Sequence, residues 1–317
     1  MDIALFVNLQ KWTVPINGDN RTVKETFSAF YPLSVKLIMV DHVTHYVHDI
    51  LARFVEYNLH FSSLIPGVTV HQISYAGLLA ALIGSRLMIS DEPKHYRIGA
   101  ILFELRNLAD SLDGVIYRSR KRQHDIGKIV LYESDYGSYG NNVDFFCDFL
   151  GGLFFCTAIL IKFLKYQPSK YPKIFLIRRP KAYILDTFHT TKTQMNSQRR
   201  SVSSFQVKLL VFFFSFRLLF TGLIWDHFVQ KYHDLLMVFF NNPNVHKMQE
   251  QTFKSISMWL IMWLWRFGNP CAILEHLSIT TFCGKLWDYL VFTNYIGWVY
   301  LIVLTKYFDA NTLYRVV

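Results

Sequence analysis

The sequence predicts an all-α integral membrane protein, with six transmembrane helices preceded by an amphipathic helix lying in the membrane interface. Three observations carry that prediction. Apolar residues make up 52% of the 317-residue chain, with Phe at 28 positions, which is richer than most soluble domains. Several apolar runs approach the roughly 20 residues that a helix needs to cross the hydrocarbon core. The Lys and Arg residues fall mostly between those runs, where insertion rules favour cations.

The elements follow in chain order. Residues 1–7 form too short an apolar run for a secretory signal, and Lys11, Pro15 and Asp19 follow, so this start is expected to stay in the mature protein. Residues 34–57 mix apolar positions with Lys36, Asp41, His42, His45, His48, Asp49, Arg53 and Glu56. Charge of that density is costly in hydrocarbon, so the stretch reads as an interfacial helix with a solvated polar face. His45 and His48, with Asp41 and Asp49, share helical spacing and admit a metal site. The solvated face is preferred, because no further anchoring ligand is evident nearby.

Pro66 and Gly67 then separate an N-terminal segment, 1–66, from a transmembrane catalytic domain, 67–317. Its spans are expected near 68–89, 98–117, 143–163, 207–225, 256–267 and 289–305. Asp91, Glu92 and Pro93 end the first span, so the first two form a hairpin with a short link. The second is the least apolar, because Glu104, Arg106, Asp110 and Asp113 lie within it. Charge inside a span marks function by default.

The net charge of +10 points to anionic lipid rather than to nucleic acid, since the cations flank hydrophobic runs. Cys147, Cys156, Cys271 and Cys283 show no metal-ligand spacing. Two of them fall in a span as apolar thiols, and pairing of Cys271 with Cys283 stays open. Arg217, inside the fourth span, either reaches a phosphate or the acceptor entrance, or snorkels or pairs between helices. Asp226–His227 and Glu275–His276 read as interfacial pairs. Trp259, Trp263 and Trp265 read as a lipid-facing belt or a packing surface.

The chemistry is concentrated where the second span ends and the third begins. The sequence there runs Asp110-Ser-Leu-Asp113-Gly114-Val-Ile-Tyr117-Arg118 and then, after a polar stretch, Gly140-Asn-Asn-Val-Asp144-Phe-Phe-Cys-Asp148. At about 100° per residue, 110, 113, 114, 117 and 118 fall on one helix face, and 140, 144 and 148 climb one stripe of the next. Two such faces would gather four carboxylates, which cannot stay ionised together without protons, basic partners or cations. Divalent oxygen-seeking ions, magnesium or manganese, fit best, and a pair of them about 3.5–4 Å apart would attract a pyrophosphate. Gly114 and Gly140 leave room for a ligand near the backbone, and Arg118 suits phosphate.

This ordered set resembles the signature of the CDP-alcohol phosphatidyltransferase family, D-x-x-D-G-x-x-A-R followed by G-x-x-x-D-x-x-x-D. Every acid and both glycines match. The resemblance implies that the six spans form that family's transmembrane bundle. It also implies metal binding by Asp110, Asp113, Asp144 and Asp148, general-base work by Asp148, and CDP binding around Gly114, Tyr117, Arg118 and Gly140. Tyr117 stands where the family has Ala, and the spacer from Arg118 to Gly140 is longer than usual. Both departures resemble the ceramide phosphoethanolamine synthase branch.

That branch implies CDP-ethanolamine as donor, ceramide as acceptor, manganese as the metal with magnesium as the other candidate, a homodimer, and a Golgi membrane location, with the endoplasmic reticulum as the alternative. An ethanolamine or choline phosphotransferase acting on diacylglycerol stays open at this point. So does a cation transporter whose buried acids hold the permeating ion.

Topology bears on the same question. The basic connection between 165 and 208 lies on the opposite side from the aspartates, and the positive-inside rule places it in the cytosol. The acidic site then faces the lumen. The glycosylation sequon Asn20-Arg21-Thr22 falls on that side if 34–57 lies flat, although Arg120, Lys121, Arg122 and Lys128 make the second-to-third connection basic too.

Overall fold

The computed structural model describes residues 1–11, 35–124, 139–168, 201–237 and 242–316. In chain order these form α1 (Asp2–Lys11), α2 (Val35–Met39), a π-helical turn (Thr44–His48), α3 (Asp49–Arg53), a second π-helical turn (Phe54–Asn58) and α4 (Phe61–Leu64). The longer helices follow: α5 (Val70–Met88), α6 (Pro93–His124), α7 (Tyr139–Lys165), α8 (Ser204–Met237), α9 (Pro243–Phe253), α10 (Ile256–Gly268), α11 (Pro270–Phe282) and α12 (Leu286–Val316). No strand occurs among the described residues. The sequon at Asn20, residues 125–138 and most of the long basic connection lie outside the described residues.

Among the described residues three helices are long and apolar enough to cross a membrane: Asn142–Lys165 within α7, Ser204–Leu235 within α8 and Leu286–Lys306 within α12. They hold the third, fourth and sixth expected spans. Phe212, Phe213, Phe216 and Phe220 on α8, with Phe292, Val299, Ile302 and Val303 on α12, point outward. An apolar exterior of this kind is what lipid contact requires, since lipid tails reward no burial of such side chains. The fifth expected span falls on α10, whose 13 residues reach only about 20 Å at 1.5 Å each. Asn269 and Pro270 end it: the Asn269 side chain accepts from the Ala272 amide at 2.8 Å and donates to the Met39 carbonyl at 3.2 Å. Proline at the first position of α11 lacks the amide that would have continued α10.

The first and second expected spans fall on α5 and α6, which form the expected hairpin. Thr69 opens α5 with a reciprocal cap, its amide donating to Gln72 Oε1 at 2.9 Å and its hydroxyl accepting from the Gln72 amide at 3.3 Å. The two backbones touch at Gly84 and Gly99. A Cβ on Gly99 would stand 2.6 Å from the Gly84 carbonyl oxygen, and one on Gly84 would stand 2.9 Å from the Gly99 oxygen. Only glycine fits at either position, and that fixes the crossing of α5 over α6.

The segment from Val35 to Asn58 differs from its expected form. Asp41, His45, His48, Arg53 and Glu56 are buried, while Val47, Leu51, Phe54 and Tyr57 are exposed. Much of the polar face expected in solvent is turned inward, where several of its groups find partners. Glu56 accepts from the Ser62 hydroxyl at 2.5 Å, Arg53 Nε donates to Asp49 at 2.8 Å, and the His45 ring bonds the Leu37 carbonyl at 2.8 Å. Asp41 Oδ1 starts this segment by accepting from the amides of Val43 and Thr44, both at 2.9 Å.

Helix α1 is tied down through Asp2, which accepts from the Tyr46 hydroxyl, the Trp263 indole and the His42 ring, each at 2.7 Å. Burial raises the Asp2 pKa, but those three hydrogen bonds and the charge of Arg266 outweigh it and hold the carboxyl at about 2. Trp259 packs against Phe6 with ring centroids 5.2 Å apart, and Trp265 is fully buried. The tryptophans of α10 are therefore a packing surface. All four cysteines are free thiols, so Cys271 and Cys283 are not paired.

Candidate active site

Helix α6 carries Asp110 and Asp113 one turn apart, and α7 carries Asp144 in its second turn. Because α5 fixes the position of α6 and packs on α7, the two acidic faces meet. One carboxylate oxygen from each of Asp110, Asp113 and Asp144 lies within 4.8 Å of the other two. Asp113 is buried and its partners are half-buried. The Ser74 hydroxyl on α5 donates to Asp113 at 2.5 Å, so the hairpin that shapes the site also orients one of its acids.

Asp148, one turn further along α7, is not part of that trio. It is bonded to the guanidinium of Arg106, a buried residue of α6 that also donates to Asn107 Oδ1 at 3.0 Å. Gly151 makes room for this arginine, since a Cβ there would stand 3.3 Å from its Nε. Gly114 lies beneath Arg118, where a Cβ would stand 3.3 Å from Nη1. The Arg118 side chain is half exposed and approaches Asp49 at 4.0 Å. Tyr117 is half-buried on α6, and Gly140 falls in the first turn of α7.

Two cations act here that the aspartate motif does not include. One is Arg106. The other is Lys36 on α2: although desolvation works the other way, the charges of Asp144, Asp110 and Asp148 hold its ammonium above the usual lysine pKa. Four carboxylates set against Arg106 and Lys36 leave two negative charges. An all-oxygen donor set with that surplus fits a hard divalent cation such as magnesium or manganese.

The network extends deeper along α6. Asn107 donates to Glu275 Oε1 at 2.9 Å, and Glu275, expected at the interface, is only 3% exposed. His48 and Glu104 adjoin it. Arg217 does not snorkel: it is buried, donates to the Thr293 carbonyl at 2.9 Å and crosses the face of α12 at Gly297, where any Cβ would collide with it. It lines a cavity of about 370 Å³ with Thr221, His276, Tyr289 and Tyr300.

An all-helical shell with apolar helices facing outward and a carboxylate centre inside defines a membrane protein built around an acidic polar site. A family model for ceramide phosphoethanolamine synthase matches residues 7–311, and the chain belongs to that family. A ceramide phosphoethanolamine synthase of Drosophila melanogaster is 29% identical over 274 residues, which cover 86% of this chain. The chain spans 65% of the length of that relative. No solved structure matches significantly.

Proposed function

We propose that this chain transfers phosphoethanolamine from CDP-ethanolamine to the primary hydroxyl of ceramide, giving ceramide phosphoethanolamine and CMP. The convergence of Asp110, Asp113 and Asp144 within 4.8 Å carries this reading, and family membership supports the choice of product. The new bond joins the ceramide oxygen to the ethanolamine-bearing phosphorus. The bond from that phosphorus to the bridging oxygen breaks, and CMP leaves with the electron pair.

In this proposal Asp110, Asp113, Asp144 and Asp148 hold divalent metal, manganese in preference to magnesium, which supplies charge stabilisation for the pyrophosphate. Asp148 takes the proton of the ceramide hydroxyl, held toward the centre by Arg106. Gly114, Tyr117, Arg118 and Gly140 accommodate the cytidine diphosphate, with the guanidinium of Arg118 directed to phosphate. The apolar cavity at Arg217 offers a chamber for the acceptor chains.

The architecture proposed with this function is a six-span CDP-alcohol phosphotransferase bundle over residues 67–317, with 1–66 packed at the membrane interface. The site faces the lumen of the Golgi, and the assembly is a homodimer. The test is a four-way assay of purified protein, pairing CDP-ethanolamine or CDP-choline with ceramide or diacylglycerol, at graded manganese and magnesium. Ceramide phosphoethanolamine as the dominant product is expected. Product from diacylglycerol alone would move the chain to a glycerolipid reaction, and ion flux without CMP release would mark a transporter.

A further inference from the structure

His48, Glu104 and Glu275 come from three separate elements: the first π-helical turn, α6 and α11. One ligating atom from each lies within 4.8 Å of the other two. The two ring nitrogens face different carboxylates, Nε2 at 3.6 Å from Glu104 Oε2 and Nδ1 at 3.6 Å from Glu275 Oε1. Those separations are too long for hydrogen bonds. They leave a gap with donors on three sides.

The gap is not satisfied by protein. His48 is 6% exposed, and its Nδ1 is buried with no hydrogen-bond partner, as is Glu104 Oε1. Glu275 accepts from Asn107 at 2.9 Å, and its carboxyl lies against that of Glu104. Among the described residues no Lys or Arg forms an ion pair with either glutamate. Asp41 nearby adds negative charge, and its own Oδ2 is buried without a partner. His48 and Glu275 are buried and Glu104 is a third exposed, and two carboxylates gathered at a buried imidazole are expensive without a compensating charge.

We propose that His48, Glu104 and Glu275 bind one divalent transition-metal ion, separate from the metal of the aspartate centre. A dication cancels both carboxylates. One imidazole nitrogen with two carboxylate oxygens is a donor set for zinc, iron or manganese, whereas the aspartates offer oxygen alone. Asn107 orients Glu275 as a supporting hydrogen bond does at metal centres. The ion clips the segment from Val35 to Asn58 onto α6 and α11. Through Glu275, Asn107 and Arg106 it is also connected by hydrogen bonds to Asp148.

The nitrogen ligand makes the proposal testable without any lipid-transfer readout, so it stands or falls apart from the proposed reaction. The full chain in nanodiscs is loaded with Mn²⁺, dialysed, and examined by elemental analysis and pulsed electron paramagnetic resonance. Expected is a bound ion with nitrogen hyperfine coupling that survives in a D110N/D113N/D144N variant. The H48Q variant should lose the coupling and one metal equivalent. The E104Q/E275Q variant, which keeps the imidazole, should lose the same equivalent and serves if H48Q does not yield monodisperse protein. The rival state is a proton shared between the two carboxyls. Absence of nitrogen coupling in the native chain, or metal content unchanged in both variants, would overturn the proposal in favour of that shared proton.

Discussion

Asp148 differs from its three companions in what it touches. Asp110, Asp113 and Asp144 converge on one another, while Asp148 is engaged by Arg106. Replacing Asp148 with Asn should therefore lower CMP release by roughly 10²- to 10⁴-fold, the usual contribution of a positioned base, with a smaller loss of Mn²⁺ than removal of an aspartate of the converging trio. Asp110→Asn should lose both turnover and metal, and equal metal loss in the two variants would argue against separate roles. The acids were legible in the sequence because helical spacing records which residues share a face. Arg106, Lys36 and Ser74 were not, because their roles arise between helices. Nothing in a single strip of sequence tells which acid on α7 will meet a cation on α6, or that α2 sends an ammonium to the same place.

At the scale of elements, the hairpin of α5 and α6 was read correctly from its Asp-Glu-Pro link, but the contact that sets its angle was not. Gly84 and Gly99 are each unremarkable in a hydrophobic run. Gly99→Ala would drive a methyl against the Gly84 carbonyl, a backbone group that cannot rotate away. A cost of about 2–3 kcal/mol is expected, with loss of activity although Gly99 lies roughly 16 Å along the helix from Asp110. Gly222→Ala, in open space, is the neutral control, and thermal unfolding of both variants checks the difference. The segment around His48 shows a second limit. A period of 3.6 separates a polar from an apolar face, but when the surroundings are lipid it does not say which face turns outward.

The dock of α1 adds a pH dependence with a definite sign. Asp2 sits at about 2 in the fold against 3.8 for an ordinary aspartate. Its contribution is therefore complete above pH 3.8 and disappears as pH falls toward 2, because the unfolded chain takes up the proton first. Asp2→Asn should weaken the dock at neutral pH and remove the acid-sensitive step over that interval, with Trp263 fluorescence as the reporter.

For the molecule as a whole, orientation can be tested through one thiol. Cys283 is exposed at the end of α11, and Arg97 at the start of α6 bonds the neighbouring Phe282 carbonyl at 3.3 Å. Asp110 and Asp113 lie 13 and 16 residues further along α6, roughly 20–24 Å away, which in the proposed six-span arrangement puts them toward the opposite face of the membrane. If the site faces the lumen, an impermeant maleimide should label Cys283 on intact Golgi vesicles with the cytosolic face outward. Labelling only after permeabilisation would place the site in the cytosol. The three most apolar helices were plain from hydropathy. The rest of the fold was harder to read, because α6 spends its length on charge and α10 and α11 are each only 13 residues long.

The inward-turned polar face of the Val35–Asn58 segment carries a consequence for sequence variation. A hydropathy profile would mark Val47, Leu51, Phe54 and Tyr57 as core and His48, Arg53 and Glu56 as replaceable surface. The geometry reverses that ranking. The outward positions need only remain greasy and should accept one another's residues freely, whereas the charged ones have neighbours that nothing else would satisfy. Mutational tolerance along this stretch should run opposite to the rule learned from proteins in water.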